Sequence, residues 1–221
     1  MLLRNKKVLI TAGPTQEPID PVRYISNHST GKMGYSLAAV CLEEGADVVL
    51  VSGPVSLTLS HPRLKIIRIT TALEMLEESK KYFSQSDIAV FTAAVADYRP
   101  EFVADQKIKK NDDHFAIHMV KNPDIAKEFG MQKKSGQLSV GFALETNDEE
   151  TNALKKLQSK NLDLVILNSM QDDKATFGYN TNKISIFSRT KARQDYPLKE
   201  KHLVAFDIVA QISALLPVPV L

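Results

Sequence analysis

The sequence predicts an α/β protein with a doubly wound, mostly parallel sheet. Short apolar runs alternate along the chain with longer amphipathic segments, which is the pattern of parallel strands joined by crossover helices. The apolar runs are rich in Val, Ile and Leu, as buried strands are. The chain has 221 residues, of which 43% are hydrophobic and 24% are charged, so its composition is that of a folded globular protein.

The amino-terminal half is predicted to hold strands at 7–11, 47–52, 64–69 and 88–95 and helices at 32–44 and 71–83. Between the first strand and the first helix, Pro14, Pro18 and Pro21 prevent a helix. Gly45 stands where a glycine commonly ends a helix. Thr71 and Glu74 have the spacing of a capping box, which predicts the start of the second helix. The strand at 64–69 alternates between apolar and polar residues, which predicts one exposed face.

The carboxyl-terminal half is predicted to hold strands at 115–120, 138–144, 162–167 and 183–187, a short helix starting within 122–125, and helices at 149–160 and 201–216. Residues 97–121 are polar and show no helical period. We find no internal repeat and no linker long enough to divide the chain. The prediction is therefore one Rossmann-like domain over 1–221, with an insertion at about 98–121.

Charge and composition exclude several classes of protein. The formal net charge of +2 argues against a protein held mainly by the phosphates of a nucleic acid. The only cysteine, Cys41, excludes an internal disulfide framework and a multi-cysteine zinc site, and its apolar helical neighbours predict that it is buried. No apolar run reaches the roughly 18 residues of a membrane span, and the first residues lack the apolar core of a signal peptide. We expect a cytoplasmic protein with neither a nucleic acid nor a membrane as its partner.

The segment from Ser29 to Gly34 is the first candidate site. It leads directly into a predicted helix, whose free N–H groups and positive dipole end suit an anionic group. The Ser29 hydroxyl could add a contact, and Gly31 and Gly34 would let a ligand approach the backbone closely. The alternative is that Ser29 or Thr30 only caps the helix and the glycines only relieve packing.

Two common phosphate-binding motifs are missing. A Walker loop is excluded because Gly31-Lys32 is followed by Met33. A dinucleotide fingerprint is excluded because Gly31 and Gly34 lie about twenty residues too far from the first strand. The second strand also ends without the acidic residue that holds a ribose hydroxyl. NAD binding is therefore not expected.

Other candidates follow later strands and helices. Ala93 and Ala94 are small residues at a strand end, and Asp97 places a carboxylate beside them; the alternative is tight packing and a capped turn. The basic run from Lys107 to Lys110 could cover a phosphoryl leaving group or be solvated surface. Lys156 and Lys160 share one helix face without acidic residues four positions earlier, which favours an anion site over a surface of salt bridges.

The histidines and serines give no catalytic pattern. His114 and His118 are the only local histidine pair, and without nearby cysteines a metal site is not expected. No Ser-His-Asp or G-x-S-x-G arrangement is present. From the residues alone, the prediction is an α/β domain that binds a phosphorylated small molecule.

Taken together, a series of motifs resembles the phosphopantothenoylcysteine synthetase family, which performs the phosphopantothenate–cysteine ligase step of coenzyme A biosynthesis. These motifs are ITAGPT at 10–15, IDPVRYISNHSTGKMG at 19–34, AAVADYR at 93–99, KIKK at 107–110, KNPDI at 121–125, GFALET at 141–146, KNLDLVILN at 160–168 and FGYN at 177–180. In many bacteria such a domain is the carboxyl-terminal half of a bifunctional protein that also carries a flavin-dependent decarboxylase. The resemblance thus implies a decarboxylase domain or protein as a partner.

The resemblance implies a reaction in two steps. The carboxylate of 4′-phosphopantothenate attacks the α-phosphate of CTP, which gives an acyl-cytidylate and pyrophosphate, and the amine of L-cysteine then displaces CMP. Mg²⁺ is expected to bind through the nucleotide phosphates, with no dedicated protein site. CTP is the implied nucleotide, although eukaryotic relatives favour ATP. Family members are homodimers, and residues 98–121 are the candidate interface.

The resemblance also assigns roles to residues. Asn27 and Lys107 are the implied catalytic residues, Asn27 by positioning the acyl-cytidylate and Lys107 on a flap over the reactants. The implied nucleotide-binding residues are Ser29, Gly31, Gly34, Asp97, Lys107, Asn122, Pro123, Asp124, Ile125, Phe142, Lys156 and Lys160. The implied phosphopantothenate-binding residues are Arg23, which reaches from a neighbouring subunit, Asn27, Ala93, Ala94 and Asp97.

Two other functions are weighed against the ligase. The first is an NAD(P)-dependent oxidoreductase on a similar sheet, against which the missing fingerprint counts. The second is a non-catalytic regulatory subunit that binds nucleotide without turnover, against which Asn27 and Lys107 count.

Overall fold

A computed structural model describes residues 1–109, 115–145, 147–169, 179–190 and 192–217, apart from the side chains of Glu145 and Ser169. The predictions that concern Lys110, His114, Thr146, Phe177 and the residues after Pro217 lie outside the described residues.

The described chain forms twelve strands and five helices. The strands are β1 (Lys7–Ala12), β2 (Gln16–Pro18), β3 (Tyr24–Ser26), β4 (Asp47–Ser52), β5 (Leu64–Arg68), β6 (Ile88–Phe91), β7 (Tyr98–Pro100), β8 (Met119–Lys121), β9 (Leu138–Glu145), β10 (Leu164–Ser169), β11 (Thr181–Ser188) and β12 (Arg193–Glu200). The helices are α1 (Lys32–Glu43), α2 (Ala72–Phe83), α3 (Ile125–Gln132), α4 (Glu149–Ser159) and α5 (Lys201–Leu215).

Eight of the strands form one sheet in the order β12-β11-β10-β9-β6-β1-β4-β5. The six strands from β10 to β5 are parallel, whereas β11 and β12 pair antiparallel at one edge. From β1 the chain winds first toward β5 and then, from β6, toward β10, so the strand order reverses between β1 and β6. The predicted doubly wound, mostly parallel α/β fold is confirmed.

Helices cover both faces of the sheet. One buried cluster joins α1 and α5 to the sheet and includes Leu37, Cys41 and Ile208. The other joins α2, α3 and α4 to the opposite face and includes Met75, Phe129 and Leu157. Burying apolar side chains on both faces is what stabilises a parallel sheet. Among the described residues, no helix combines the length and the apolar character that crossing a membrane requires.

Local signals in the sequence placed several helix ends correctly. Thr71 and Glu74 form the predicted capping box, because the Thr71 hydroxyl accepts from the Glu74 N–H and the Glu74 carboxylate accepts from the Thr71 N–H. Gly45 follows α1 at a φ of +94° and its N–H donates to Leu42 O, as a terminal cap does. The prolines of 12–31 do prevent a helix, and the short hairpin of β2 and β3 forms there instead.

Other predicted elements were wrong in extent. The strand predicted at 88–95 ends at Phe91, and beyond it Ala94 forms only an isolated bridge with Pro14. The strand predicted at 115–120 is reduced to β8, which pairs with β7 at the base of the predicted insertion. By contrast, the helix expected to start within 122–125 does start there, at Ile125, after Asp124, whose carboxylate caps it by accepting from Lys127 N–H. The strand β12 was not predicted.

Candidate functional site

The reversal of strand order between β1 and β6 opens a crevice at the carboxyl ends of these strands. Beyond the two strands, the chain after β1 and the chain after β6 stay side by side, joined by an isolated parallel bridge between Pro14 and Ala94. Ligands of doubly wound sheets bind in this position, because helices on opposite faces leave the sheet in opposite directions. The segments that follow β1 and β6 contain most of the residues implied by the motifs.

The start of α1 lies against the floor of the crevice. Gly31 occupies the cap position before the helix at a φ of +75°, and as a glycine it has no side chain to cap the first turn. A Cβ on Gly34 would lie 2.5 Å from both Ala12 Cβ and Thr92 Oγ1, so only glycine allows this approach. The Ser29 hydroxyl accepts a hydrogen bond of 3.3 Å from Gly31 N–H. Neither Ser29 nor Thr30 occupies the cap position of α1, which Gly31 holds, and the packing role of Gly34 is confirmed.

Two cavities adjoin in the crevice. The first, called the small cavity, has a volume of about 160 Å³ and is lined by Ser29, Thr30, Gly31, Lys32, Met33, Gly34, Thr92, Ala93, Ala94, Phe142, Ala143, Leu144, Asn168, Asn182 and Lys201. The second, called the large cavity, has a volume of about 500 Å³ and is lined by residues of 93–98, 121–126 and 141–142 together with Lys156 and Lys160. Ala93, Ala94 and Phe142 line both, so one extended ligand could occupy the two cavities together.

Most of the residues that the motifs single out are brought together here. Ser29, Gly31 and Gly34 line the small cavity. Asp97, Asn122, Pro123, Asp124, Ile125, Lys156 and Lys160 line the large cavity.

The polar residues of the large cavity hold one another in place. Lys160 Nζ lies 2.9 Å from the Asp124 carboxylate, which also caps α3, so α3 and α4 are joined at the cavity wall. Lys156 Nζ lies 3.4 Å from Phe142 O. Asn122 is buried and donates to Ala96 O, which fixes the turn after β6. The cavity thus offers two ammonium groups beside an aromatic ring and several backbone groups.

Asn27 lies at the rim of the crevice and lines neither cavity. Its amide nitrogen donates to Ala94 O at 3.1 Å and to Val95 O at 3.2 Å. Carbonyl oxygens only accept hydrogen bonds, so this pair fixes the amide with its nitrogen toward the protein and its oxygen directed away. Asn27 therefore presents a fixed acceptor beside Ala94, which lines both cavities.

Arg23 and Lys107 lie outside the two cavities, on the insertion side of the crevice. The Arg23 guanidinium donates to the buried Asp20 carboxylate through Nε at 3.0 Å and to Ile108 O at 3.1 Å. The same carboxylate accepts from Ile108 N–H, and Arg23 holds the pKa of Asp20 well below its usual range. Lys107 is exposed and directly precedes this tether, so the segment that carries it is attached to the residues before α1.

Sequence reasoning missed three polar residues of the small cavity. Lys32 and Lys201 are the first residues of α1 and α5, and Asn182 is a fully buried residue of β11. Asn182 donates to Asn168 Oδ1 at 3.2 Å. Burial and the positive charge of Lys32 lower the pKa of Lys201 to about 8. Lys32 lies within the motif at 19–34. Asn182 and Lys201 are far from that motif in the sequence, and no local pattern marks them as site residues.

Among the described residues, neither a cysteine nor a cluster of metal ligands lines the crevice. Cys41 is buried in α1 as predicted, and burial raises the pKa of its thiol to about 12, so it stays protonated and unreactive. Within the same residues, no group of three or more His, Cys, Asp and Glu side chains could hold a metal ion. The lysines that line the two cavities are suited to hold anions.

The family to which the chain belongs follows from comparison with known proteins. Residues 3–216 match the family described as DNA/pantothenate metabolism flavoprotein C-terminal domain. The chain belongs to this family. The resemblance drawn from the motifs is thereby confirmed, and the match covers every element of the fold.

Similar proteins of known sequence are longer than this chain. It is 47% identical over 213 residues to a cysteine/cysteine sulfinic acid decarboxylase of an unidentified prokaryote, covering 96% of this chain and 59% of that protein. It is 45% identical to the coenzyme A biosynthesis bifunctional protein CoaBC of Bacillus subtilis, covering 96% of this chain and 52% of that protein. The chain thus spans little more than half the length of these relatives.

Solved structures agree with the family assignment. The crystal structure of the C-terminal domain of a coenzyme A biosynthesis bifunctional protein CoaBC has a TM-score of 0.82 and 36% identity, covering 97% of each chain. The DNA/pantothenate metabolism flavoprotein from Streptococcus pneumoniae has a TM-score of 0.81 and 26% identity, covering 95% of this chain and 99% of that one. Both cover nearly the whole of this chain.

Proposed function

We propose that this domain is a phosphopantothenate–cysteine ligase of coenzyme A biosynthesis. The observation that carries the proposal is the pair of adjoining cavities, which together suit a nucleotide with its phosphates against the uncapped start of α1. The similarity to CoaBC proteins supports the same assignment. The decarboxylase name of the other relative describes a protein of which this chain matches only 59%.

The proposed reaction activates a carboxylate and then transfers its acyl group. An oxygen of the phosphopantothenate carboxylate bonds to the α-phosphorus of CTP, and the bond from that phosphorus to pyrophosphate breaks. The cysteine amine then bonds to the acyl carbon, loses a proton, and CMP leaves with the bridging oxygen. A carboxylate alone is a poor acyl donor, and its conversion to a mixed anhydride supplies the leaving group. The protein has to orient the reactants and offset their negative charge.

We assign different parts of the nucleotide to the two cavities. We assign the phosphates to Ser29, Gly31 and Gly34, where the positive dipole end of α1 adjoins the small cavity. The cytidine is assigned to the large cavity, with Phe142, Lys156 and Lys160, and with Asp97 and the 122–125 turn supplying polar contacts. Discrimination between CTP and ATP then rests on the backbone groups of that turn.

Phosphopantothenate is assigned to the rim of the crevice. Asn27, Ala93, Ala94 and Asp97 would line its path, with Arg23 contributing from a neighbouring subunit. The fixed oxygen of Asn27 is suited to accept a hydrogen bond from the incoming cysteine amine beside the acyl-cytidylate. Lys107, on the tethered insertion, would cover the reactants and add positive charge.

Magnesium is proposed to enter with the nucleotide. The described residues hold no cluster of ligands for a resident ion, so the donors that suit it are phosphate oxygens and water. When bound, Mg²⁺ offsets negative charge on the phosphates. Asp97 and Asp124 are the carboxylates that line the large cavity.

Two partners belong to the proposal. A homodimer would form through the insertion, where Phe102 and Phe115 are 81% and 58% exposed. A flavin-dependent decarboxylase, as a further domain or a separate protein, would take the product onward, as the bifunctional name of the CoaBC relatives suggests. We propose the cytoplasm as the place where both act.

One assay tests the proposal against its two rivals. The protein is incubated with 4′-phosphopantothenate, Mg²⁺ and either CTP or ATP, with and without L-cysteine, and pyrophosphate, nucleoside monophosphate and the amide product are quantified. A ligase releases pyrophosphate with or without cysteine. It forms the amide only when cysteine is present. A regulatory subunit binds nucleotide without releasing pyrophosphate, and an oxidoreductase binds a nicotinamide cofactor instead. Absence of pyrophosphate with both nucleotides would reject the ligase.

A further inference from the structure

Two lysines on separate helices converge on the small cavity. Lys32 begins α1 and Lys201 begins α5, and both line the cavity on its β11 side, away from the large cavity. Lys32 Nζ donates to Asn180 Oδ1 at 2.8 Å. Lys201 Nζ donates to Tyr179 O at 2.6 Å and to Thr181 O at 2.9 Å, which fixes the ammonium group at the start of β11.

The lining of the small cavity carries positive charge without negative charge. No acidic residue is among the described residues that line it, and in that part of the chain Lys201 forms no ion pair. The Lys201 ammonium has three hydrogens, of which the two carbonyl groups take two. Burial together with repulsion from Lys32 lowers the pKa of Lys201 to about 8. Keeping the Lys201 side chain protonated therefore costs free energy when no anion is bound.

The helix ends increase the positive potential. A cation in the first turn opposes the helix dipole, and acidic residues are favoured there. The other helices follow this rule, with Glu74 in α2, Glu128 in α3 and Glu149 in α4. Neither α1 nor α5 has an acidic residue in its first turn or a side-chain cap. The two helices that begin at the small cavity are therefore the two without an acidic residue in the first turn. Glu200, at the cap position of α5, is exposed and lines a neighbouring cavity with Lys32 and Lys201, but it does not line the small cavity.

We propose that Lys32 and Lys201 hold the β- and γ-phosphates of the nucleotide, so that the β11 side of the small cavity is a pyrophosphate subsite. This inference rests on the proposed function, to which it adds the position of the leaving group. When the bond between the α-phosphorus and the bridging oxygen breaks, the electron pair stays on that oxygen and pyrophosphate gains negative charge. Ammonium groups already in place stabilise that charge without reorganisation.

Substitution of Lys201 tests the subsite. Lys201→Gln keeps a donor for the two carbonyl groups but removes the charge, and Lys201→Arg keeps both. Lys183→Gln is the matched control, because Lys183 is an exposed lysine on the same strand as Asn182. Inorganic pyrophosphate, CTP and CMP are titrated into each protein by calorimetry, and thermal unfolding confirms that each variant is folded.

The expected result separates the phosphates from the rest of the nucleotide. Lys201→Gln should weaken the binding of pyrophosphate and CTP roughly tenfold or more and leave CMP unchanged, because one charge-assisted hydrogen bond is lost. Lys201→Arg and Lys183→Gln should stay within about twofold of the unsubstituted protein. Unchanged pyrophosphate affinity in Lys201→Gln, or equal weakening of CMP, overturns the subsite. Should Lys201→Gln not fold, Lys32→Gln is titrated in the same way and judged by the same results.

The subsite and the proposed function can fail separately. If the protein ligates its substrates but its affinity for pyrophosphate does not depend on Lys201, the proposed function is supported and the subsite is rejected. If pyrophosphate binds through Lys201 but no amide forms with either nucleotide, the subsite stands and the ligase is rejected.

Discussion

Asn27 shows how one side chain can be fixed for a specific step. Its nitrogen is held by Ala94 O and Val95 O, and its oxygen is directed away from both. Asn27→Asp replaces the donor with a second acceptor, which the two carbonyl groups repel. We expect pyrophosphate release to continue while amide formation falls roughly tenfold or more, so that acyl-cytidylate accumulates. Rapid-quench analysis with and without cysteine measures both steps.

Asn5→Asp is the control for this substitution. Asn5 is exposed and precedes β1, so it lies at the amino ends of the parallel strands, away from the crevice at their carboxyl ends. Both half-reactions should therefore keep their rates. If Asn27→Asp slows pyrophosphate release and amide formation equally, Asn27 has no separate role in the second step.

Gly34 determines how closely α1 approaches the sheet. A Cβ there would meet Ala12 Cβ and Thr92 Oγ1 at 2.5 Å, and neither atom is the end of a flexible side chain. Gly34→Ala should therefore lower the free energy of unfolding by about 1–3 kcal/mol, the usual effect of overpacking. Urea unfolding measures the change.

The control for Gly34→Ala is Gly136→Asn. Gly136 has a φ of +80°, a Cβ placed there would meet no atom within 4 Å, and asparagine tolerates that conformation better than most residues. Its effect should stay below about 1 kcal/mol. Equal stability of Gly34→Ala and the unsubstituted protein would show that α1 can move away from β1 at no cost.

At the scale of elements, the insertion is tied to the residues before α1. Asp20 accepts from Ile108 N–H and from Arg23, Arg23 donates to Ile108 O, and Ala104 N–H donates to Ile19 O. Asp20→Asn removes the charge that holds Arg23, so the amides of 104–109 should exchange with solvent several times faster. Hydrogen–deuterium exchange with mass spectrometry measures this rate. Asp105→Asn, at an exposed position of the same segment, should not change it.

The tether also has a predictable pH dependence. Because Arg23 lowers the pKa of Asp20 below its ordinary value of 3.8, the interaction is fully present above that pH and is lost only as the pH falls below it. The difference in exchange between the unsubstituted protein and Asp20→Asn should thus persist from pH 7 to pH 5. A difference that disappears within that range would contradict the account of the tether.

Elements differed in how far the sequence could predict them. The central strands were predictable because both of their faces are buried and their residues are almost all apolar. The strand β12 was missed because it lies at the sheet edge, is mostly exposed and contains Pro197, so it carries neither an apolar run nor a clear alternation. The short strands β2, β3 and β7 depend on pairing partners that local sequence does not specify.

At the scale of the whole molecule, the edge strands explain the position of α5. Each of β11 and β12 reverses the chain direction, so β12 runs parallel to β10 and ends on the same side as the parallel strands. The helix α5 therefore begins near the carboxyl ends of these strands, as α1 does. This topology brings Lys201 to the cavity where α1 starts. The motif residues around Gly31 could be found from the sequence because they are consecutive. Lys201 and Asn182 could not, since their place in the site depends on a strand that the sequence did not reveal.

The transfer of one oxygen atom tests the central claim most directly, namely that the crevice activates a carboxylate at the α-phosphorus of a nucleotide. Phosphopantothenate labelled with ¹⁸O in its carboxylate is converted with CTP and cysteine, and the products are analysed by mass spectrometry. The account predicts one ¹⁸O atom in the phosphate of CMP and none in pyrophosphate. Label in inorganic phosphate together with CDP, or CMP without label, would contradict it.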